Sequence, residues 1–186
     1  MSILPIVLIV IAVIILIVVI IYNSFIAKLN QVKNIYSSVD VYLKRRYDLI
    51  PNLVASASKI MEHEKDLFSE ITRLRTMCGD AKNDSDKFAL NNELSRFLGS
   101  IKVALENYPQ IKSNENILSL QHSLDDIERQ ISAARRAYNS AVMVYNNACE
   151  MFPTNIIANL FNFQKREFFE ADEVEKSNIN VKELFK

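Results

Sequence analysis

Residues 3–22 read Ile-Leu-Pro-Ile-Val-Leu-Ile-Val-Ile-Ala-Val-Ile-Ile-Leu-Ile-Val-Val-Ile-Ile-Tyr, an apolar run without one charged side chain. About 20 residues of α-helix, at about 1.5 Å each, extend about 30 Å, which matches the hydrocarbon thickness of a bilayer. We therefore predict a transmembrane anchor over residues 1–22 that contacts membrane lipid through residues 3–22.

A cleaved signal peptide is the alternative interpretation of this run. Signal peptides carry a positively charged segment before a shorter apolar region, and a small-x-small cleavage site after it. Here only Met1 and Ser2 precede the run, the run is longer, and no such site follows it. These features favour an anchor that is retained.

The charges that follow the anchor predict its orientation. Lys28 and Lys33 come soon after it, and the basic triplet 44–46 lies a little farther on. Because positive charge is retained on the cytoplasmic side, we expect a single-pass protein of the cell membrane whose C-terminal domain is cytoplasmic. Cys78 and Cys149 lack the paired spacing of metal sites or redox motifs, and unpaired thiols fit a reducing compartment.

Composition limits the fold and the function of the remaining chain. The 186 residues have a net charge of +0, with only 2 glycines and 4 prolines. An all-β fold needs many more turn residues, so long helices with few connections are expected. Nucleic-acid binding normally needs a basic surplus on one face, so we predict no nucleic-acid partner.

Two apolar stripes with alternating steps of three and four residues follow the anchor. Such stripes are typical of helices buried against other helices. The first runs from Leu29 to Cys78, and Tyr22 and Phe25 extend it backwards into the anchor. Pro51 lies inside it, so either one long helix kinks there or two helices meet end to end. The second stripe runs from Ile117 to Phe152.

A shorter amphipathic helix lies between the two stripes, after a turn-rich connector at 77–86. We expect Ser85 or Asp86 to cap it, and Gly99 inside it to permit a close helix contact. Together these segments predict an all-α protein: an N-terminal transmembrane helix followed by an antiparallel bundle of three to four long helices. The bundle would span residues 23–163, with a short piece capped by Thr154, and residues 164–186 would form a charged tail that Phe168, Phe169 and Phe185 anchor.

Four charged residues are the candidate functional positions. Arg46 and Glu64 interrupt the first stripe, and Glu128 and Arg135 flank the second. A buried charge costs several kcal/mol unless it is paired. One interpretation is that they form ion pairs between helices that fix their register. The other is a polar groove that holds a partner peptide.

Catalytic, cofactor and metal sites are not predicted. His63 lies between Glu62 and Glu64, but neighbouring residues point to different faces of a helix and cannot converge on one metal. No serine, cysteine and histidine are spaced as a nucleophile and its base. We therefore expect no enzyme, no cofactor and no small-molecule substrate.

The chain resembles the LemA family of bacterial membrane proteins over essentially its whole length. The most specific match is the string Asp40-Val41-Tyr42-Leu43-Lys44-Arg45-Arg46-Tyr47-Asp48-Leu49-Ile50-Pro51-Asn52-Leu53-Val54. Further matches are His63-Glu64-Lys65, Tyr108-Pro109, Ala134-Arg135-Arg136, Val144-Tyr145-Asn146, Phe152-Pro153 and Phe168-Phe169-Glu170. Tyr36 stands where the family often has tryptophan, and Asn162 where glycine is common. The resemblance implies an N-terminally anchored helical bundle, whose biochemical activity is not established, with roles in envelope or membrane-protein homeostasis.

These observations predict a membrane-anchored, non-enzymatic scaffold or adaptor that presents a helical bundle to other membrane or envelope proteins. A homo-oligomer is expected if the stripe from Leu29 to Leu43 lacks partners within the chain. The alternative function is a membrane remodelling or fusion factor, in which coiled-coil-like helices zip against helices of an opposing membrane. That function requires a stripe that is free in the single chain.

Overall fold

The computed structural model describes residues 3–108 and 114–169. Over these residues it has five α-helices: α1 (Ile3–Ala57), α2 (Lys65–Asp80), α3 (Asp84–Leu105), α4 (Glu115–Glu150) and α5 (Thr154–Leu160). A 3-10 turn, Glu62–Glu64, precedes α2, and no strand occurs in the described residues. The predicted all-α class, an apolar N-terminal helix followed by a helical bundle, is confirmed.

Helix α1 joins the apolar run to the bundle without a break. It has 55 residues, so it extends about 80 Å, of which the apolar run accounts for about 30 Å. Residues 3–17 are all exposed to solvent, whereas buried residues begin at Phe25. α1 is the only helix of the described chain that is long and apolar enough to cross a membrane. The predicted continuation of the anchor into the first bundle helix is therefore observed.

Pro51 lies inside α1, and an arginine from α2 compensates for it. Proline has no N–H, so the carbonyl of Tyr47, four residues earlier, loses its helical hydrogen bond. The Nε of Arg75 donates to that carbonyl at 2.7 Å. This hydrogen bond satisfies the freed oxygen and explains how the helix continues to Ala57.

The first helix ends between Ala57 and the 3-10 turn, a break that the continuous stripe does not predict. The stripe predicts that Ile60 is buried, but Ile60 is exposed and the next residue, Met61, is fully buried. After the turn, burial resumes at Phe68 and continues through Ile71, Leu74 and Cys78. The chain reverses because Met61 enters the core, a tertiary contact that outweighs the helix-forming tendency of the local sequence.

The described chain divides into two compact units. The first contains residues 3–41 and 132–168. In it residues 25–36 of α1 pack against the second half of α4. The ring of Phe25 lies 6.2 Å from that of Tyr145, and the ring of Tyr36 lies 5.9 Å from that of Tyr138. The two helices are therefore antiparallel. Val32 and Val39 are buried here within a single chain. This part of the stripe therefore has partners within the chain, and the homo-oligomer stays a prediction.

The second unit contains residues 42–108 and 114–131, together with Phe169. Its core combines the end of α1, α2, α3 and the start of α4: Ile50, Leu53, Ala57, Met61, Phe68, Ile71, Leu74, Cys78, Leu94, Ile101, Leu105, Ile117 and Leu124. α3 and α4 are antiparallel, because Ser95 contacts Glu128 while Lys102 contacts Asp125.

Several helix ends differ from the predictions in the residue that caps them. Asn83, not Ser85 or Asp86, caps α3, since its side chain accepts from the N–H of Asp86 at 2.7 Å. The Thr154 hydroxyl does not cap α5: it donates to the carbonyls of Ala148 and Met151 at 2.6 and 2.8 Å. It therefore holds the end of α4.

The end of α5 explains the departure from glycine at position 162. Asn162 has φ 56°, in the left-handed region that asparagine tolerates better than most residues. The N–H of Phe163 bonds the carbonyl of Ala158 at 2.8 Å, closing the end of the helix.

Part of the predicted tail is described. Phe169 is buried and stacks on Phe88 of α3, with ring centroids 4.0 Å apart, whereas Phe168 is exposed. Phe169 is thus an anchor onto the bundle, as expected. Phe185 and the boundary of the charged tail beyond Phe169 lie outside the described residues.

Candidate functional site: a buried arginine and the adjoining groove

Arg46 is the centre of a polar cluster in the second unit. It lies on the buried face of α1, with its side chain 0% exposed. Its Nη1 donates to Oε1 of Glu128 at 2.7 Å and to the Ser95 hydroxyl at 2.6 Å. Its Nη2 donates to the side-chain oxygen of Asn91 and to the carbonyl of the same residue. One guanidinium thus joins α1, α3 and α4.

A second set of hydrogen bonds orients the residues that Arg46 contacts. The Tyr47 hydroxyl donates to Oδ1 of Asn91 at 2.7 Å, and Nδ2 of Asn91 donates to the carbonyl of Lys87 at 2.7 Å. Ser95 donates to the second oxygen of Glu128 at 3.3 Å. Because each acceptor is itself held, the arginine has one well-defined position.

The cluster is costly to build and sensitive to the loss of the Glu128 carboxylate. An unpaired charge in the protein interior costs several kcal/mol, and Glu128 compensates that cost for Arg46. Nε of Arg46 is buried and finds no partner among the described residues. An unsatisfied buried donor costs about 1–3 kcal/mol, which lowers the net contribution of Arg46 to the stability of the fold.

Two ionisable groups beside the cluster are held neutral. Burial raises the pKa of the Tyr47 hydroxyl well above its usual range, and burial also raises the pKa of the Cys78 thiol. A raised pKa means that neither phenolate nor thiolate forms near neutral pH. Because the thiolate is the reactive form of cysteine, burial lowers the reactivity of Cys78.

A groove opens between α3 and α4 next to this cluster. Its volume is about 150 Å³, and its lining is Leu53, Ser95, Leu98, Gly99, Ile101, Lys102, Leu105, Gln121, Leu124, Asp125 and Glu128. The lining is mostly apolar. Ser95 and Glu128 give it a polar end, and an ion pair between Lys102 and Asp125, at 3.1 Å, lies at its rim.

Glu128 belongs to both the cluster and the groove. Its side chain is 35% exposed although one carboxylate oxygen contacts the fully buried arginine. A carboxylate has about four acceptor positions, so hydrogen-bonding capacity remains on the groove side. The residue can therefore compensate Arg46 and accept a hydrogen bond from a bound group.

Gly99 lines the groove and has open space beside it. A Cβ built on this residue would meet no heavy atom within 4 Å. The glycine thus does not serve the close helix contact that its position in α3 suggested. It leaves open space along the wall of the groove instead.

The structure brings together two of the four predicted site residues. Arg46 and Glu128 form an ion pair between helices. Glu64 lies in the 3-10 turn, which has no buried residue, so it is not part of a buried stripe. Arg135 is half-buried on α4, in the first unit.

Sequence reasoning missed Asn91, Ser95 and Tyr47. Asn91 lies three residues after Phe88 and three before Leu94, on the apolar face of α3, and is buried. Ser95 follows it by one helical turn. Two polar residues one helical turn apart on an apolar face could have indicated a buried polar cluster, because buried polar groups need hydrogen-bond partners.

The cluster and the groove fall within a stretch that matches a known family. The model of the LemA family matches residues 35–182. The chain belongs to the LemA family. Among similar proteins, Protein LemA of Metamycoplasma hominis is 23% identical over 163 residues, covering 87% of this chain and 74% of its own length.

LemA relatives also include proteins named for the magnetosome. Magnetosome protein MamQ 2 of Paramagnetospirillum magneticum and magnetosome protein MamQ of Magnetospirillum gryphiswaldense are each 23% identical over 190 residues, covering 88% of this chain and 70% of their own lengths. The LemA match and the apolar N-terminal helix together suggest a membrane-associated protein whose biochemical role is unclear.

Proposed function

We propose that this member of the LemA family is a membrane-anchored, non-enzymatic adaptor whose α3–α4 groove binds a segment of another membrane or envelope protein. The observation that supports it is the position of Glu128, which is buried against Arg46 on one side and exposed to an apolar groove on the other. An apolar wall with few oriented polar groups is the usual composition of a recognition site.

The size of the groove indicates what it binds. Its volume of about 150 Å³ is below the roughly 300–1,000 Å³ of pockets for drug-sized ligands. It suits one bulky apolar side chain, the kind of anchor that contributes most of the binding energy at protein interfaces. The Glu128 carboxylate would accept a hydrogen bond from an N–H or ammonium group beside that side chain.

An adaptor agrees better with the chain's chemistry than an enzyme does. Within residues 3–108 and 114–169, no three histidine, cysteine, aspartate or glutamate side chains come together as metal ligands. The thiol nearest the cluster is buried, with a raised pKa. Arg46 is fully enclosed, so its guanidinium serves to position Glu128 and to fix the register of three helices.

The alternative function, remodelling or fusion of membranes, requires a helical stripe that is free in the single chain. Val32, Val39, Leu43, Ile50 and Leu53 of the first stripe are each exposed by no more than 3%. A second membrane would have to unfold the bundle to reach them. We therefore favour the adaptor.

The location of the adaptor follows from the charges after the anchor. Lys28, Lys33 and Lys44 continue along α1 beyond the apolar run. By the positive-inside rule, we propose that the bundle is on the cytoplasmic face of the cell membrane.

Site-specific photocrosslinking in native membranes tests the adaptor. A photoreactive phenylalanine analogue at Gln121 lies in the groove and should give one discrete adduct with a membrane or envelope protein. In the same chain, Gly99→Trp should abolish that adduct, because the indole fills the open space of the groove. Helicity should not change, since residue 99 is exposed and a Cβ there would meet no heavy atom within 4 Å.

The matched control places the same analogue at His122, the residue that follows Gln121 on α4 and is exposed. It should give no discrete adduct. Adducts at both positions that persist in the presence of Gly99→Trp would contradict binding in the groove.

A further inference from the structure

The connection between α4 and α5 exposes more apolar surface than the rest of the first unit outside the anchor. We define this corner as residues 151–163. Phe152 is 80% exposed and Leu160 70%, and Met151, Ile156 and Phe161 are also exposed. From Met151 to Gln164 the sequence has no aspartate, glutamate, lysine or arginine. Exposed apolar patches without charge mark surfaces that contact something other than water.

The corner packs against the end of the apolar run of α1. The Tyr22 ring lies 4.9 Å from the ring of Phe161 and 5.8 Å from that of Phe163. Phe163 also stacks on Phe25, with centroids 4.7 Å apart and planes 10° from parallel. These contacts fix the corner beside Tyr22, at the end of the apolar run.

The direction of α4 carries the corner to the depth of the anchor. Phe25 meets Tyr145, and α4 then runs toward the N-terminus of α1. From Tyr145 to Glu150, where α4 ends, the helix advances about 7–8 Å, whereas Tyr22 lies only about 4–5 Å from Phe25 along α1. The end of α4, where the corner begins, therefore passes the level of Tyr22 by about 3 Å.

Charged residues bracket the corner in the sequence. Glu150 ends α4, directly before the uncharged stretch 151–164, and Lys165 comes directly after that stretch. The carboxylate of Glu150 pairs with Nζ of Lys165. Arg166 comes next and donates its backbone N–H to Asn146 at 2.9 Å. Aromatic and apolar residues at a boundary with basic side chains are the composition of an interfacial membrane segment.

We propose that the corner is a second membrane contact: Met151, Phe152, Ile156, Leu160 and Phe161 insert into the headgroup–acyl boundary of the same bilayer that holds the anchor. An element of this kind is buried about 5–10 Å into the boundary. The inference depends on the anchor and not on the groove. It fixes the first unit against the membrane at two points, so this unit cannot rotate freely about α1.

Tryptophan fluorescence tests the contact, because the chain has no tryptophan of its own. The full-length variants Phe152→Trp and Leu160→Trp are reconstituted separately in phosphatidylcholine–phosphatidylglycerol vesicles, with or without phosphatidylcholine brominated near the headgroup end of its acyl chains. Both positions are exposed, so the indole disturbs no packing. Each variant should emit at shorter wavelength than an exposed tryptophan and lose much of its intensity to the brominated lipid.

Two further variants calibrate the result. Leu16→Trp, inside the anchor, should be quenched by bromine placed deep in the acyl chains, and Val103→Trp, which is 65% exposed on α3 as the native valine, should not be quenched. Long-wavelength emission without quenching at positions 152 and 160 would show that the corner faces water. Short-wavelength emission without quenching would show that protein covers it. Either result overturns the proposal, and loss of quenching in Leu16→Trp would overturn it by removing the anchor.

Discussion

Replacing Glu128 with leucine is expected to lower the free energy of unfolding by about 3–5 kcal/mol, the usual effect of removing one partner from a buried ion pair. The leucine leaves the fully buried guanidinium of Arg46 without its counter-charge. Ser95 and Asn91 still accept hydrogen bonds from it, but neither carries a negative charge. Urea unfolding of the full-length chain in detergent micelles, followed by far-ultraviolet circular dichroism, measures the change.

The double variant Arg46→Met, Glu128→Leu is the matched control. It removes both charges and fills the space with apolar side chains of similar length, which is often neutral or stabilising. We expect it to recover most of the lost stability. If Glu128→Leu were as stable as the parent chain, Arg46 would not depend on Glu128, and the cluster would not have the energetic role assigned to it.

Three lysines in the apolar run, Leu8→Lys, Ile11→Lys and Ile15→Lys, should release the protein from the membrane. Lysine at the centre of a membrane helix costs about 2.5–3.5 kcal/mol, so three cost about 8–10 kcal/mol. The apolar residues contribute about 0.3–0.6 kcal/mol each near the centre and less toward the ends, roughly 6–8 kcal/mol in all. Insertion therefore becomes unfavourable, and sodium carbonate should extract the variant without detergent.

The control variant, Leu8→Ile, Ile11→Leu and Ile15→Leu, changes the same three positions without adding charge. It keeps the apolar character and should remain in the membrane pellet. Lysine is a good helix former, so the triple-lysine variant should keep its helical content. Retention of that variant in the pellet after carbonate treatment would mean that the apolar run is not what holds the chain to the membrane.

Most of the fold could be predicted from the spacing of apolar residues. The second stripe follows α4 closely, since Leu124, Ile131, Tyr138 and Tyr145 are all buried on it. The first stripe predicts the buried face of α1 as far as Ala57. Periodicity is informative here because each long helix buries one face along most of its length.

Where the chain turns was less predictable. Residues 58–64 contain neither glycine nor proline, and yet α1 ends there and Met61 enters the core. Pro51, the local signal for a break, lies in a helix that continues, since Arg75 from another helix bonds the carbonyl it frees. Both outcomes depend on tertiary contacts, which a local pattern does not contain.

Half of the candidate site was predictable for a similar reason. A charge on an apolar stripe needs a partner, so Arg46 and Glu128 could be selected from the sequence. The same reasoning wrongly selected Glu64, because the predicted stripe continues across a turn that has no buried residue. The groove could not be predicted from Gly99, because a glycine in a helix equally suits a close contact, whereas this one has open space beside it.

Hydrogen exchange of the full-length protein in lipid nanodiscs tests most directly whether one helix, α1, carries the bundle on its membrane anchor. Peptides that cover residues 18–50 should exchange slowly throughout, because lipid or buried packing protects every backbone hydrogen bond of α1 on both sides of Tyr22. Rapid exchange between residues 22 and 30 would reveal a flexible linker there, and would contradict a helix shared by the membrane and the bundle.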